Sequence, residues 1–189
     1  MPAPTRTSEK TRNMVYIALF AVLMAVCAWI SVPAAVPFTM QTFAVFLAVG
    51  VLGGRKGTLA IVVYILMGAV GMPVFSHFTG GPGVLFQATG GYILGFLLTA
   101  LIMWGMEAAL GHKLWVRIIS MVLGLIACYA FGTLWFVLLY TRTTGAIGFG
   151  TALLWCVVPY ILPDLIKLAL ALTLTHRLRT VFKLQEKSV

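Results

Sequence analysis

Long unbroken apolar runs, separated by short polar or glycine-rich joints, are the first pattern along this chain. They do not alternate with period two, so the pattern favours membrane helices over a β-barrel. Six such runs are expected: Met14–Ser31, Thr39–Gly53, Thr58–Met72, Gly90–Leu110, Trp115–Tyr140 and Thr151–Leu174. The second and third are short for a span of roughly 20 residues. They are expected to tilt into protein or to be extended by their flanks. The fold class is therefore an all-α integral membrane bundle of six helices. A basic tail over residues 1–13 precedes a membrane domain over 14–175, and a second basic tail covers 176–189.

The first run has a look-alike in a secretory signal peptide, with Arg6, Lys10 and Arg12 ahead of it and Ala34-Ala35 behind. Its apolar stretch is longer than the roughly 7–15 residues of a signal core, and more membrane follows. Composition agrees with a chain made for lipid. Hydrophobic residues make up 61% of 189 positions and charged residues 9%, against roughly a quarter charged in a typical globular chain.

The net charge of +9 changes the picture once the charges are placed. With six spans, one side of the membrane collects Arg6, Lys10, Arg12, Arg55, Lys56, Lys113, Arg117, Arg177, Arg179, Lys183 and Lys187. The other side holds Arg142, and Lys167 lies within a span. Basic loops mark the cytoplasm, so both termini are expected there. The same clusters argue against nucleic acid, which asks for an exposed basic face with interleaved aromatics.

The expected outer loops, Val32–Phe38 and Pro73–Thr89, are apolar and rich in proline, glycine and phenylalanine. Such loops fit a folded lid or, alternatively, a belt resting on lipid headgroups. Cys27, Cys128 and Cys156 fall within apolar runs without metal-ligand spacing, as packing residues do. His77, His112 and His176 are scattered, and no phosphate loop of the G-x-x-x-x-G-K-[ST] type occurs. Neither an enzyme nor a resident cofactor or metal is expected.

One pair of charges lies in the sixth run. Asp164 and Lys167 are three residues apart, about 60° around a helix and thus on one face. A charge at the bilayer centre costs at least ~2.5–3.5 kcal/mol on insertion scales, which opposite charges on one face partly offset. The pair is either a packing element or a polar anchor for a ligand. Pro159 and Pro163 disturb the same helix. If Pro163 opens a new helical segment, Asp164 sits near its N-terminus, where the dipole favours a carboxylate. On the first helix, Ala21 and Ala25 have the small-xxx-small spacing that lets another helix approach closely, inside the bundle or from outside.

Five stretches in this order together resemble the BioY family: Val36-Pro37-Phe38-Thr39-Met40-Gln41-Thr42, Gly71-Met72-Pro73-Val74-Phe75, Thr89-Gly90-Gly91-Tyr92-Ile93-Leu94-Gly95-Phe96, Gly132-Thr133-Leu134-Trp135 and Asp164-Leu165-Ile166-Lys167. The resemblance runs from about residue 14 to 175. It implies the substrate-capture (S) component of an energy-coupling-factor (ECF) transporter in a bacterial cytoplasmic membrane, taking up biotin. It further implies Asp164 and Lys167 as the main polar ligand contacts, with Thr39, Gln41 and Tyr92 near the pocket. Ala21 and Ala25 would dock a transmembrane coupling subunit, with two cytoplasmic ATPase subunits supplying energy. Against this stand a stand-alone ion-coupled transporter, in which Asp164 is the proton or sodium site, and a membrane scaffold without transport.

Overall fold

A computed structural model describes residues 6–34 and 36–182. Ala35, Lys183, Glu186 and Lys187, together with the rest of residues 1–5 and 183–189, lie outside the described residues. Eight α-helices occur among those described: α1 (Arg6–Trp29), α2 (Gln41–Leu52), α3 (Gly54–Ala69), α4 (Pro82–Leu85), α5 (Gly90–Leu110), α6 (Leu114–Thr143), α7 (Phe149–Cys156) and α8 (Val158–Phe182). Each of the six expected runs coincides with a helix, the last with the α7–α8 pair. By length and apolar composition, four segments reach membrane-spanning size: Glu9–Trp29, Gly90–Leu110, Leu114–Thr143 and Phe149–Arg179. The result is an all-helical, multi-pass membrane protein.

Helix α2 shows why the second run was short. It has 12 residues and ten of them are buried. It packs against α1, α3, α5 and α8. A helix that is hydrophobic all round belongs inside a bundle, and α2 is central to this group of four neighbours. Helix α5 lies against α6, and α8 lies on α2.

Several expected boundaries differ. The stretch 54–57 is not a loop: Gly53 alone separates α2 from α3 at φ 81°, a left-handed value that glycine adopts without a Cβ clash. Arg55 and Lys56 therefore lie in the first turn of α3. A Cβ on Gly57 would come within 2.5 Å of the Val49 backbone, so the hairpin closes only on hydrogen. At the chain ends, helix extends back to Arg6 and on to Phe182.

The expected break in the last span is also displaced. It falls at Val157 (φ −123°, ψ −57°), and Pro163 lies inside α8. Pro159 is the second residue of α8, where the missing amide would have had no intrahelical partner. Asp164 consequently sits in the second turn of α8 rather than at a helix N-terminus, and its charge is balanced by side chains.

The two ends of the bundle are finished differently. At one end the carboxylate of Glu107 accepts from the Gly54 amide at 2.7 Å, from His112 Nδ1 at 2.6 Å and from Arg179 Nη2 at 3.3 Å. Arg179 Nε also donates to the Gly50 carbonyl at 2.7 Å. One acid thereby ties the α2–α3 corner, the end of α5 and the end of α8.

At the other end the loops fold over the bundle. Ser31–Val32 and Phe38–Thr39 form a two-rung antiparallel ladder. The 73–89 loop contains a 3₁₀ turn, Ser76–Phe78, and α4. Its Phe75 is fully buried and edge-on to Tyr64, with ring centroids 5.6 Å apart, in a space left by Gly68, whose Cβ would lie 2.0 Å from the Phe75 ring. This loop is a folded structure, not free coil.

Gly57→Ala should disrupt the α2–α3 hairpin, because the clashing neighbour is backbone and has no rotamer to change. Gly105→Ala, with nothing within 4 Å of its Cβ, is the control. Thermal melts in detergent should show a clear drop for the first and none for the second.

Candidate functional site

A cavity opens beneath the folded loops, between α2, α5, α6 and α8. All five residues expected at a ligand site line it: Thr39, Gln41, Tyr92, Asp164 and Lys167. The cavity is small, with about 60 Å³ of free interior space. Its wall is largely apolar, with Ile93 and Phe96 of α5 among the lining, while Ser76 and Thr89 reach in from the 73–89 loop.

The polar centre is a closed set of hydrogen bonds around Asp164. One carboxylate oxygen accepts from Lys167 Nζ at 2.8 Å and from Thr42 Oγ1 at 2.9 Å. The other accepts from the Tyr129 hydroxyl at 2.5 Å. Lys167 Nζ donates further to the Thr39 carbonyl at 2.6 Å and lies 3.9 Å from the centroid of the Phe38 ring. Both charged side chains are 5% exposed. Charge-assisted bonds and a cation–π contact thus stand in for the water both ions have lost. Removing one member of such a buried pair leaves the other uncompensated, which is strongly destabilising.

A second relay runs outward from Thr39. Its hydroxyl donates to Gln41 Oε1 at 2.9 Å and accepts from the Gln41 amide at 3.3 Å. Gln41 Nε2 donates to the Tyr64 hydroxyl at 2.5 Å, which donates to the Val74 carbonyl at 3.1 Å. The two outer loops are therefore joined through buried polar groups. The Tyr160 hydroxyl donates to the Val36 carbonyl, and its ring stacks on Phe38 with centroids 6.4 Å apart. Tyr92 pairs its hydroxyl with Thr133 at 3.0 Å. This places it on the α6 side of the cavity, against Gly132, whose Cβ would lie 2.3 Å from the Tyr92 ring.

Indole groups pin the flanks of the 73–89 loop. Trp29 Nε1 donates to the Pro73 carbonyl at 2.9 Å and its ring stacks on Phe78 at 5.0 Å. Trp135 Nε1 donates to the Gln87 carbonyl at 3.1 Å. Between these anchors His77 and Phe78 both adopt φ 57°, an uncommon conformation for residues with a side chain.

Ala21 and Ala25 are not at this site. They are 0% and 3% exposed, inside the bundle where α1 packs on α2 and α3. The close approach their spacing permits is used within the chain. The exposed face of α1 carries Val15, Leu19, Val22 and Val26 instead.

Two polar partners of Asp164 went unread in the sequence. Thr42 closes the first stretch quoted above, directly after Gln41. Tyr129 is a hydroxyl in the middle of a long apolar helix, and at that depth a Tyr hydroxyl needs a hydrogen-bond partner. That requirement was the available signal.

The whole chain has known counterparts. The BioY family model matches residues 3–184. A biotin transporter BioY of Thermotoga maritima is 41% identical over 173 residues, covering 89% of this chain and 96% of the relative. A probable biotin transporter BioY of Pyrococcus horikoshii is 37% identical over 171 residues, 90% and 98% respectively. The crystal structure of the S-component for biotin from an ECF-type ABC transporter superposes with a TM-score of 0.82 at 24% identity, covering 94% of this chain and 95% of that one. The fold is that of an S-component, and the chain belongs to the BioY family.

Proposed function

We propose that this protein is the biotin-binding S component of an ECF-type transporter, and that the cavity around Asp164 and Lys167 is where biotin is held. The observation that carries the reading is the buried ion pair itself, in a largely apolar cavity, in a chain whose close relatives are named as biotin transporters. It is a transport protein and not an enzyme, since its family is one of transporter components.

The chemistry fits the ligand. Biotin has an apolar bicyclic body, a ureido edge that both donates and accepts, and a carboxylate. A pocket of mostly apolar lining with a few placed polar groups suits such a molecule. Lys167 can donate to a ligand oxygen, at the ureido or at the carboxylate end, and Asp164 can accept a ligand N–H, each exchanging one of its present partners for the ligand. Thr39, Gln41 and Tyr92 shape the surrounding wall. The present cavity is narrow for a bicyclic ligand, so entry requires the loops over 32–38 and 73–89 to withdraw. They are the lids of this reading.

The proposal extends to topology and partners. All six segments cross the bilayer, the short α2 with the help of its flanks and α7 and α8 together forming the sixth, and the basic ends face the cytoplasm. The membrane is a bacterial cytoplasmic membrane. Energy comes from two cytoplasmic ATPase subunits through a transmembrane coupling subunit. If that subunit docks at the first helix, it meets Val15, Leu19, Val22 and Val26 before Ala21 and Ala25, so docking through the alanines requires α1 to shift in the bundle.

Isothermal titration of purified protein with biotin tests the central claim. Wild type should bind saturably. Asp164→Asn and Lys167→Ala should each lose affinity at least about tenfold, as expected when a charged hydrogen-bond partner is removed. Saturable binding unchanged in both folded variants would reduce the pair to a packing element, and absence of binding by wild type would overturn the function.

Orientation is read separately. In a background lacking the three native cysteines, Arg142→Cys should react with a membrane-impermeant maleimide in intact cells. Lys113→Cys should react only after permeabilisation. The reverse pattern would invert the topology.

A further inference from the structure

Tyr129 faces two spaces. It lines the cavity with Asp164 and it also lines a separate, open cleft whose lining includes the exposed Ile126, Ile161 and Leu165. The cleft lies between α6 and the α7–α8 pair, and almost all of its lining is apolar. The cleft is the roomier of the two spaces.

The two spaces run side by side. Along the α7–α8 segment, Cys156, Tyr160 and Asp164 line the cavity, while Val157, Ile161 and Leu165 line the cleft. That stretch is on the order of 14 Å of helix. Helix α6 packs on α5, and α8 on α2. The gap between α6 and α8 is thus bridged by side chains. Tyr129, half-buried, lines both spaces, and its hydroxyl is bonded across the gap to Asp164 at 2.5 Å.

Resting on the biotin reading above, we propose that Tyr129 is a specificity-determining residue of the binding cavity. With the carboxylate-bearing chain of the ligand turned toward Lys167 and α6, the Tyr129 ring is the partition that keeps that chain out of the apolar cleft, and its hydroxyl holds the Asp164 carboxylate in position. The partition limits ligand length. A biotin-like head carrying a hydrocarbon extension is refused because its chain has nowhere to go, although an apolar space large enough for it lies directly behind the ring. Removing the ring joins the spaces and admits the extension. Removing only the hydroxyl leaves the partition standing and loosens Asp164.

The test compares three probes, biotin, biotinamide and N-hexylbiotinamide, on wild type, Tyr129→Phe and Tyr129→Ala. The two amides share a polar end and differ in the chain, so their affinity ratio isolates the length limit. Wild type should bind biotinamide at least tenfold more tightly than the hexyl compound. Tyr129→Phe should keep that ratio while binding biotin about tenfold more weakly. Tyr129→Ala should shrink the ratio at least tenfold, whatever its absolute affinity. Should Tyr129→Ala fail to fold, Tyr129→Val serves, with the same expected ratio. A ratio equal to that of wild type in a folded, ring-less variant overturns the partition, and biotin affinity unchanged in Tyr129→Phe overturns the positioning role. A wild type that binds none of the probes sinks the biotin reading itself and this inference with it.

Discussion

A carboxylate placed among hydrocarbon helices must be neutralised by groups the fold itself brings to it. Asp164 meets this demand with donors from three helices: Thr42 of α2, Tyr129 of α6 and Lys167 of its own α8. Lys167 passes the constraint to the loop before α2 through the Thr39 carbonyl and the Phe38 ring. This one set of bonds links α2, α6, α8 and the loop before α2. Replacing such a pair with apolar residues is often neutral for stability, whereas removing one partner alone is costly.

Parts of this were open to inspection in the chain. Gly90–Leu110 was bounded correctly because Thr89-Gly90 and Gly111 punctuate an uninterrupted apolar run, and Gly111 sits at φ 79° where the helix stops. The i, i+3 spacing of Asp164 and Lys167 put them on one face, and the structure joins them at 2.8 Å. Other features depended on three-dimensional neighbours. The one-residue corner at Gly53 is set by how closely α3 folds back on α2, and local sequence there looks like an ordinary basic loop. The break at Val157 falls before the prolines because Pro159 is tolerated in the first turn of a new helix. The stripe of Ala21 and Ala25 signals close approach but carries no information about what approaches. Thr42 and Tyr129 carried only a weak signal, because single hydroxyls in apolar helices are common and only their convergence on one carboxylate distinguishes them.

The bundle is also unequal from end to end. Glu107 clamps three helix ends through both its oxygens. At the opposite end the closure is made of loops, two indole tethers and a pair of residues in left-handed backbone. Stability differs locally within a fold, and ligand-binding loops are drawn from the less stable part.

The brevity of α2 bears on how the protein is made. Twelve residues of helix reach about 18 Å, well short of a hydrocarbon layer of about 30 Å. A segment of that length, emerging alone from the insertion machinery, is too short to settle across the bilayer by itself. With Gly53 as its single-residue hinge to α3, it is suited to enter as one half of a preformed hairpin. Sheltering that hairpin until α5 and α8 arrive would then be a step of biogenesis that the finished bundle no longer displays.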